Sequence, residues 1–237
     1  MNIKFFFQIV GFFLLILNNQ CNKEKEIYID TLLNNMIIKY GGEENLIKYD
    51  RHYSHWQVNS PIKGKAEEKR YVNLPQKIKI ESGANQEIRI INDENVYKGI
   101  LNKPAIKIEG ISSEAVKFQL KRIYSPLHLN KFKKNIIKIT DSAKHMILQY
   151  KYEVSSINYY VNKETFFIEK TESFIDTSQK TMRFITEYKD YKNINGVMVA
   201  HTENKFIDNM NTANNTLLEI QINQDFSPSM FEPFLNI

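Results

Sequence analysis

Lys69-Arg70-Tyr71-Val72-Asn73-Leu74-Pro75-Gln76-Lys77-Ile78-Lys79-Ile80-Glu81 is the stretch whose reading decides the fold. From Lys77 to Glu81, charged residues alternate with isoleucine. Ile78 and Ile80 therefore share one face of a strand and the charges share the other. Residues 69–74 form a second run with strand character, and Pro75 divides the two. Runs this short, joined by so little chain, pair as antiparallel neighbours. The same period recurs outward in residues 53–58, 87–91 and 95–100. Ser60-Pro61, Ser82-Gly83 and Asn92-Asp93-Glu94 punctuate them as turns.

The period is helical before and in the middle of this pattern. Ile27, Ile29, Leu32, Leu33, Met36, Ile37 and Tyr40 fall at the spacing of an amphipathic helix over 27–40, which Gly41-Gly42 ends. A short helix over 43–49 opens on acids and buries Leu46 and Ile47. Ser112-Ser113-Glu114 starts an interrupting helix that carries Val116, Leu120, Ile123 and Tyr124 and stops before Pro126. Strands then resume at 136–140, 146–152, 157–161, 165–171, 182–188, 197–206 and 216–222. The expected fold is mainly β (α+β). About five strands, a helix and about seven more strands form a single strongly curved antiparallel sheet, with the helices against its concave side. No linker divides residues 27–237, so they read as one domain.

The chain has 237 residues and a formal charge of +5, with 8 Gly, 6 Pro, one Trp and one Cys. So little Pro and Gly excludes collagen-like and low-complexity chains, and one cysteine excludes a disulfide framework or a multi-cysteine zinc site. Lys4 followed by the apolar run 5–17 reads as a signal peptide over 1–20, too short for a comfortable membrane span. Its removal takes one lysine and lowers the charge from +5 to about +4. Cys21 stands at the end of that run, where a bacterial lipoprotein carries its acyl anchor, and 21–26 would be the tether. An ordinary signal peptide beside an incidental cysteine is the other reading.

The chemistry-bearing residues form no familiar catalytic pattern. There is no Gly-rich phosphate loop, no Gly-x-Ser-x-Gly and no His-Glu-x-x-His, and Ser60-Pro61-Ile62-Lys63 matches Ser-x-x-Lys by chance in a turn. His52 and His55 lie three apart on a strand and point to opposite faces, which argues against shared metal ligation. Glu67-Glu68 and Glu43-Glu44 read as solvated or helix-start acids. Lys131, Lys133, Lys134 and Lys138 read as a solvated loop, not a nucleic-acid surface, which would interleave aromatics. No catalytic residue, metal or cofactor is expected.

Apolar content is heavy on some later strands. Phe166-Phe167-Ile168 is continuous, Met182, Phe184, Ile185 and Tyr188 follow, and Met146, Leu148, Tyr150 and Tyr152 share a face. Two readings stay open: a two-layer core, or a cavity able to hold an acyl chain. The residues expected to line such a cavity are Ile78, Ile80, Ile88, Ile90, Met146, Leu148, Tyr150, Met182 and Phe184. Trp56 is placed at its mouth or in the core.

With the strand order in hand, Lys69 to Ile80 resembles the strand pair of the LolA/LolB-like lipoprotein carriers, in which a basic and aromatic strand is followed by proline, a hydrophobic residue and a basic one. Ile90-Ile91-Asn92-Asp93-Glu94-Asn95-Val96-Tyr97-Lys98-Gly99 is similar to that family's next hairpin. Tyr40-Gly41-Gly42-Glu43-Glu44-Asn45-Leu46 resembles a segment of the broader outer-membrane lipoprotein-sorting set. So do Tyr188-Lys189-Asp190-Tyr191 through Gly196-Val197, Ile222-Asn223-Gln224-Asp225-Phe226 and Phe231-Glu232-Pro233. The resemblance implies an incomplete β-barrel of about eleven strands, with the N-terminal and interrupting helices as a lid over an apolar interior. Leu74 stands where the soluble carrier has an arginine that helps set lid closure, so that carrier's opening and closing cycle is not implied.

The resulting expectation is a non-enzymatic, exported cell-envelope lipoprotein. It would be monomeric and periplasmic, anchored to a membrane (the outer one favoured) through Cys21. It would bind lipid or the acyl chains of lipoproteins and would not bind nucleic acid. The alternative is an interaction or sensor module that has the same fold with a filled interior and no lipid cargo.

Overall fold

The structure is a computed structural model that describes residues 27–83, 86–152, 155–178 and 180–233. The expected signal peptide over 1–20, Cys21 and the expected tether lie outside the described residues. Helix α1 runs over 27–39 and sends Leu32, Leu33 and Met36 into the core. It stops at Gly41 and Gly42, whose φ angles of 119° and 85° suit glycine alone. A Cβ on Gly41 would lie 1.9 Å from the Gly196 carbonyl oxygen, so the helix corner presses directly on a hairpin turn of the sheet. Met198 N–H donates to the Tyr40 carbonyl there, at 3.0 Å. Helix α2, Glu43–Tyr49, buries Leu46 and points Lys48 at Glu44, 2.7 Å away.

Thirteen strands follow in one antiparallel sheet: β1 Arg51–Ser60, β2 Gly64–Asn73, β3 Lys77–Ser82, β4 Glu87–Asn92, β5 Asn95–Ile100, β6 Ile106–Ile108, β7 Ile136–Asp141, β8 His145–Tyr152, β9 Ser155–Asn162, β10 Ile168–Asp176, β11 Thr181–Ile194, β12 Val197–Ile207 and β13 Met210–Ile222. Their order is β6-β5-β4-β3-β2-β1-β13-β12-β11-β10-β9-β8-β7. The last strand closes on the first, so β1 and β13 form the middle and two wings extend from them. The outer edges, β6 and β7, do not pair, and the barrel stays incomplete. Because β6 and β7 are consecutive strands at opposite edges, residues 109–135 must cross between the wings. They do so as helix α3, Gly110–Lys121, and helix α4, Pro126–Lys131. Helix α3 packs against β4 and β5 of one wing and β10 of the other.

This is the mainly β, curved-sheet architecture expected, with two more strands than about eleven. Strand β6 has only three residues, too few to show a period. Helix α4 occupies part of the expected lysine-rich loop, with Pro126 at its start. The Phe166-Phe167 stretch is a turn and not a strand with two apolar faces. Asn162 Oδ1 accepts from the N–H groups of Glu164 and Thr165 at 2.8 and 3.0 Å, and Phe166 has a φ of 61°. Strand β10 therefore begins at Ile168.

The concave face holds the main core. Val72, Ile78, Ile91 and Val96 come from one wing, Leu148, Tyr150, Tyr159 and Val161 from the other, and α1 and α3 lie between them. The convex face of the first wing has its own small core. Phe231, on a 3-10 turn over Pro228–Phe231, caps Ile88, Ile90 and Ala105.

Candidate binding cavity

The nine residues expected to line a cavity divide into groups. Ile78, Ile80, Met146, Leu148 and Tyr150 meet in the concave core, and Phe184 packs against it. Met182 is half-buried opposite Ile175, on that same face of β11. Ile88 and Ile90 lie on the convex face instead. The β3–β4 register pairs Ile78 with Ile91 and Ile80 with Arg89, which turns Ile88 and Ile90 away from the interior. Trp56 is a core residue, packed near Tyr40, Leu46 and Leu217, with its Nε1–H donated to Ser54 Oγ at 3.0 Å.

The apolar middle of the concave side is occupied by the helices. Leu33, Met36 and Leu129 are fully buried there. Sheet tyrosines fasten the crossing segment. Tyr159 Oη donates to the Lys121 carbonyl at 2.7 Å, Tyr188 Oη to the Arg122 carbonyl at 3.0 Å, and Tyr150 Oη to the Leu129 carbonyl at 2.9 Å. These carbonyls belong to helix ends, where the regular helical donors run out, and Lys121 keeps only a turn bond from the Tyr124 N–H at 3.2 Å. From the helix side, Tyr124 Oη donates to the Pro75 carbonyl at 3.0 Å. Leu74, in the position of the missing arginine, is buried in the same core.

Toward one end of the trough the lining becomes charged. Glu68 and Arg70 stand two apart on β2, Glu203 and Lys205 two apart on β12, and both pairs face inward. Arg70 Nη1 and Nη2 donate to the two Glu203 oxygens at 2.8 and 2.7 Å, and its Nε donates to Glu68 at 2.8 Å. The guanidinium also lies 4.4 Å from the Trp56 ring centre. Arg89 reaches Glu68 at 3.4 Å, and Lys205 lies 3.6 Å from Glu68 and 3.4 Å from Glu203. Asn215, with its amide oxygen turned to the cations, accepts from Lys205 Nζ at 2.7 Å. Glu68 and Glu203 titrate well below the usual carboxylate range. The cations Lys205 and Arg70 around them outweigh the burial that opposes ionisation. Burial pushes Lys205 down to about 7, against the pull of Glu68. Glu68 had been expected on a solvated face. The spacing that could have revealed this network is Glu-x-Arg and Glu-x-Lys, which on a strand puts opposite charges side by side on one face.

Two spaces open beside the network. A cavity of about 80 Å³ lies under α2, lined by Tyr49, His52, Arg70, Tyr188 and Glu203. A larger space of about 480 Å³ runs between α3 and the sheet. Its apolar wall includes Ile108, Val116, Phe118, Phe184 and Ile207, and its polar end holds Arg89, Lys98, Arg122 and Lys205. The arrangement is amphipathic on the scale of a small ligand.

One constellation has the composition of a hydrolytic triad. Ser125 Oγ lies 3.0 Å from His128 Nδ1, and His128 Nε2 lies 3.4 Å from Asp50. Burial lowers His128 to about 4 and raises Asp50 to about 7. A histidine so hard to protonate is a weak general base near neutrality. Ser125 is also the residue that starts α4, so the three side chains join α4 to the end of α2. His52 and His55 do face opposite sides of β1. Among the described residues no three His, Cys, Asp or Glu side chains converge as metal ligands.

An unclosed antiparallel trough crossed by helices between its two edges defines the relationship. The chain shares its fold with a LolA superfamily protein. A LolA superfamily protein from Nitrosomonas europaea superposes with a TM-score of 0.54 at 10% identity, over 83% of this chain and 96% of that one. A DUF1329 family protein from Desulfovibrio piger gives 0.54 at 10% identity, over 86% and 97%. A domain described as an outer membrane lipoprotein-sorting protein, from Vibrio parahaemolyticus, gives 0.50 at 8% identity, over 77% and 89%. No family model matches the sequence, and no curated protein matches it. The LolA-type trough is thus reached with little sequence in common.

Proposed function

We propose that this protein binds lipid or the acyl chains of lipoproteins in the space between α3 and the sheet, without covalent chemistry. The observation that carries this reading is the space of about 480 Å³ beneath a helix that crosses the trough, whose lining combines Val116, Phe118, Phe184 and Ile207 with the cations Arg89, Lys98, Arg122 and Lys205. Each methylene withdrawn from water there would contribute about 0.8 kcal/mol. The fold, shared with a lipoprotein-sorting domain, supports a place in the envelope, and Cys21 would supply the anchor to the outer membrane. In that role the protein acts as a monomer.

The helix-filled apolar middle favours a second reading, an interaction or sensor module without cargo. Native mass spectrometry of the purified protein decides between them. Co-purified lipid, released by denaturation and replaced by added fatty acid, is the expected result. A protein that is always empty and takes up no amphiphile leaves the module reading.

A further inference from the structure

The charges around the α3 space do not balance. Arg70, Arg89, Lys98, Arg122 and Lys205 face three carboxylates, Glu68, Glu87 and Glu203. Arg70 spends its guanidinium on Glu68 and Glu203, while Arg89 and Lys98 share Glu87 at 2.9 and 3.3 Å. Arg122 favours the ionised forms of Glu68 and Glu203 from a distance but pairs with neither. Among the described residues its one side-chain hydrogen bond is from Nη1 to Thr186 Oγ1 at 3.1 Å, its Nε is buried without a partner, and it forms no ion pair. Gln119 Oε1, on the same wall, is buried and unpartnered too. Arg122 follows the last turn of α3, where the helix dipole contributes only about half a negative charge. A guanidinium held at the edge of a low-dielectric space with idle donors is a ready partner for an oxyanion, which it can meet with two parallel hydrogen bonds.

We propose that the polar end of this space is an anion site, in which Arg122 and Lys205, assisted by Arg89 and Lys98, take a phosphate or carboxylate group. The proposal deepens the lipid-binding reading and rests on the same space: the occupant would be an anionic amphiphile with its head inward and its chain along Phe118, Phe184 and Ile207. The same chemistry would serve a free phosphate. An anion there also favours the charged form of Lys205. That ammonium faces Glu68 and Arg70 on β2, Glu203 on β12, Arg122 beyond α3 and Asn215 on β13.

Calorimetric titration of the purified protein with dodecyl phosphate, dodecanol and inorganic phosphate tests this. Dodecyl phosphate is expected to bind at least tenfold more tightly than dodecanol. Arg122→Gln should remove that preference and leave dodecanol within twofold. Lys98→Gln, on the open rim, should lower dodecyl phosphate affinity several-fold without affecting the fold. Equal binding of both amphiphiles by the wild-type protein, or equal losses for both in Arg122→Gln, overturns the anion site and leaves lipid binding standing. Inorganic phosphate bound through Arg122 with neither amphiphile retained supports the site and overturns the lipid reading. Binding of none of the three removes both.

Discussion

Arg70 has its charge withdrawn from water and returned by its neighbours. It is 3% exposed, and its two carboxylate partners are almost as deeply buried. Desolvating three charges is costly, and the bidentate geometry to Glu203, the bond to Glu68 and the nearby Lys205 and Arg89 offset it. Arg70→Met is therefore expected to destabilise the protein by about 3–5 kcal/mol, because Glu203 is left buried beside fewer cations. Replacing both, as Arg70→Met with Glu203→Leu, should recover much of the loss. Urea unfolding measures this, and a cost below about 1 kcal/mol for the single change would show that the pair is solvated.

Among the elements, the crossing segment is held differently from the strands. Strands share ladders, whereas α3 and α4 are fixed at their ends by tyrosine hydroxyls reaching helix-end carbonyls. Each such bond contributes about 1 kcal/mol. Tyr159→Phe and Tyr188→Phe should each cost roughly that amount. They should also speed hydrogen exchange of the amides from 120 to 125 ahead of those in β8 and β9. Uniform acceleration across the sheet would mean that the hydroxyls do not secure the crossing in particular.

For the whole molecule, stability depends on groups buried in the form that ionisation opposes. Burial holds His52 and His128 near 4, below their ordinary 6.5. Their contribution is complete above pH 6.5 and is lost as pH falls through about 4, up to about 3 kcal/mol each. Asp50 works the other way. Its carboxyl is raised from 3.8 to about 7, so its contribution is complete at low pH and lost as pH rises through about 7. Through these three groups, unfolding between pH 6.5 and 4 should therefore take up a net of about one proton, rising to about two in Asp50→Asn, and Glu68 and Glu203 add to the uptake as pH falls toward their ordinary 4.5. Urea midpoints across that range test this, and a flat profile in both proteins would contradict neutral burial of the histidines.

The sequence by itself determined the period of nearly every strand, the helix expected over 27–40 and the interrupting helix, the turn at Asn92-Asp93-Glu94, and the single curved sheet. All of these depend on neighbours a few residues apart, where side-chain alternation and backbone geometry act directly. It also placed Ile78, Ile80, Met146, Leu148 and Tyr150 on faces that meet. Only the tertiary structure decided that Ile88 and Ile90 turn outward, because the Phe231 that covers them comes from chain far away. The ionic network was equally hidden. Arg70 and Glu203 are 133 residues apart, and each pair looks like surface charge until β1 and β13 join the wings and exclude water from between them. Burial, which sets the worth of a charge and the shape of a cavity, is a property of the assembled trough.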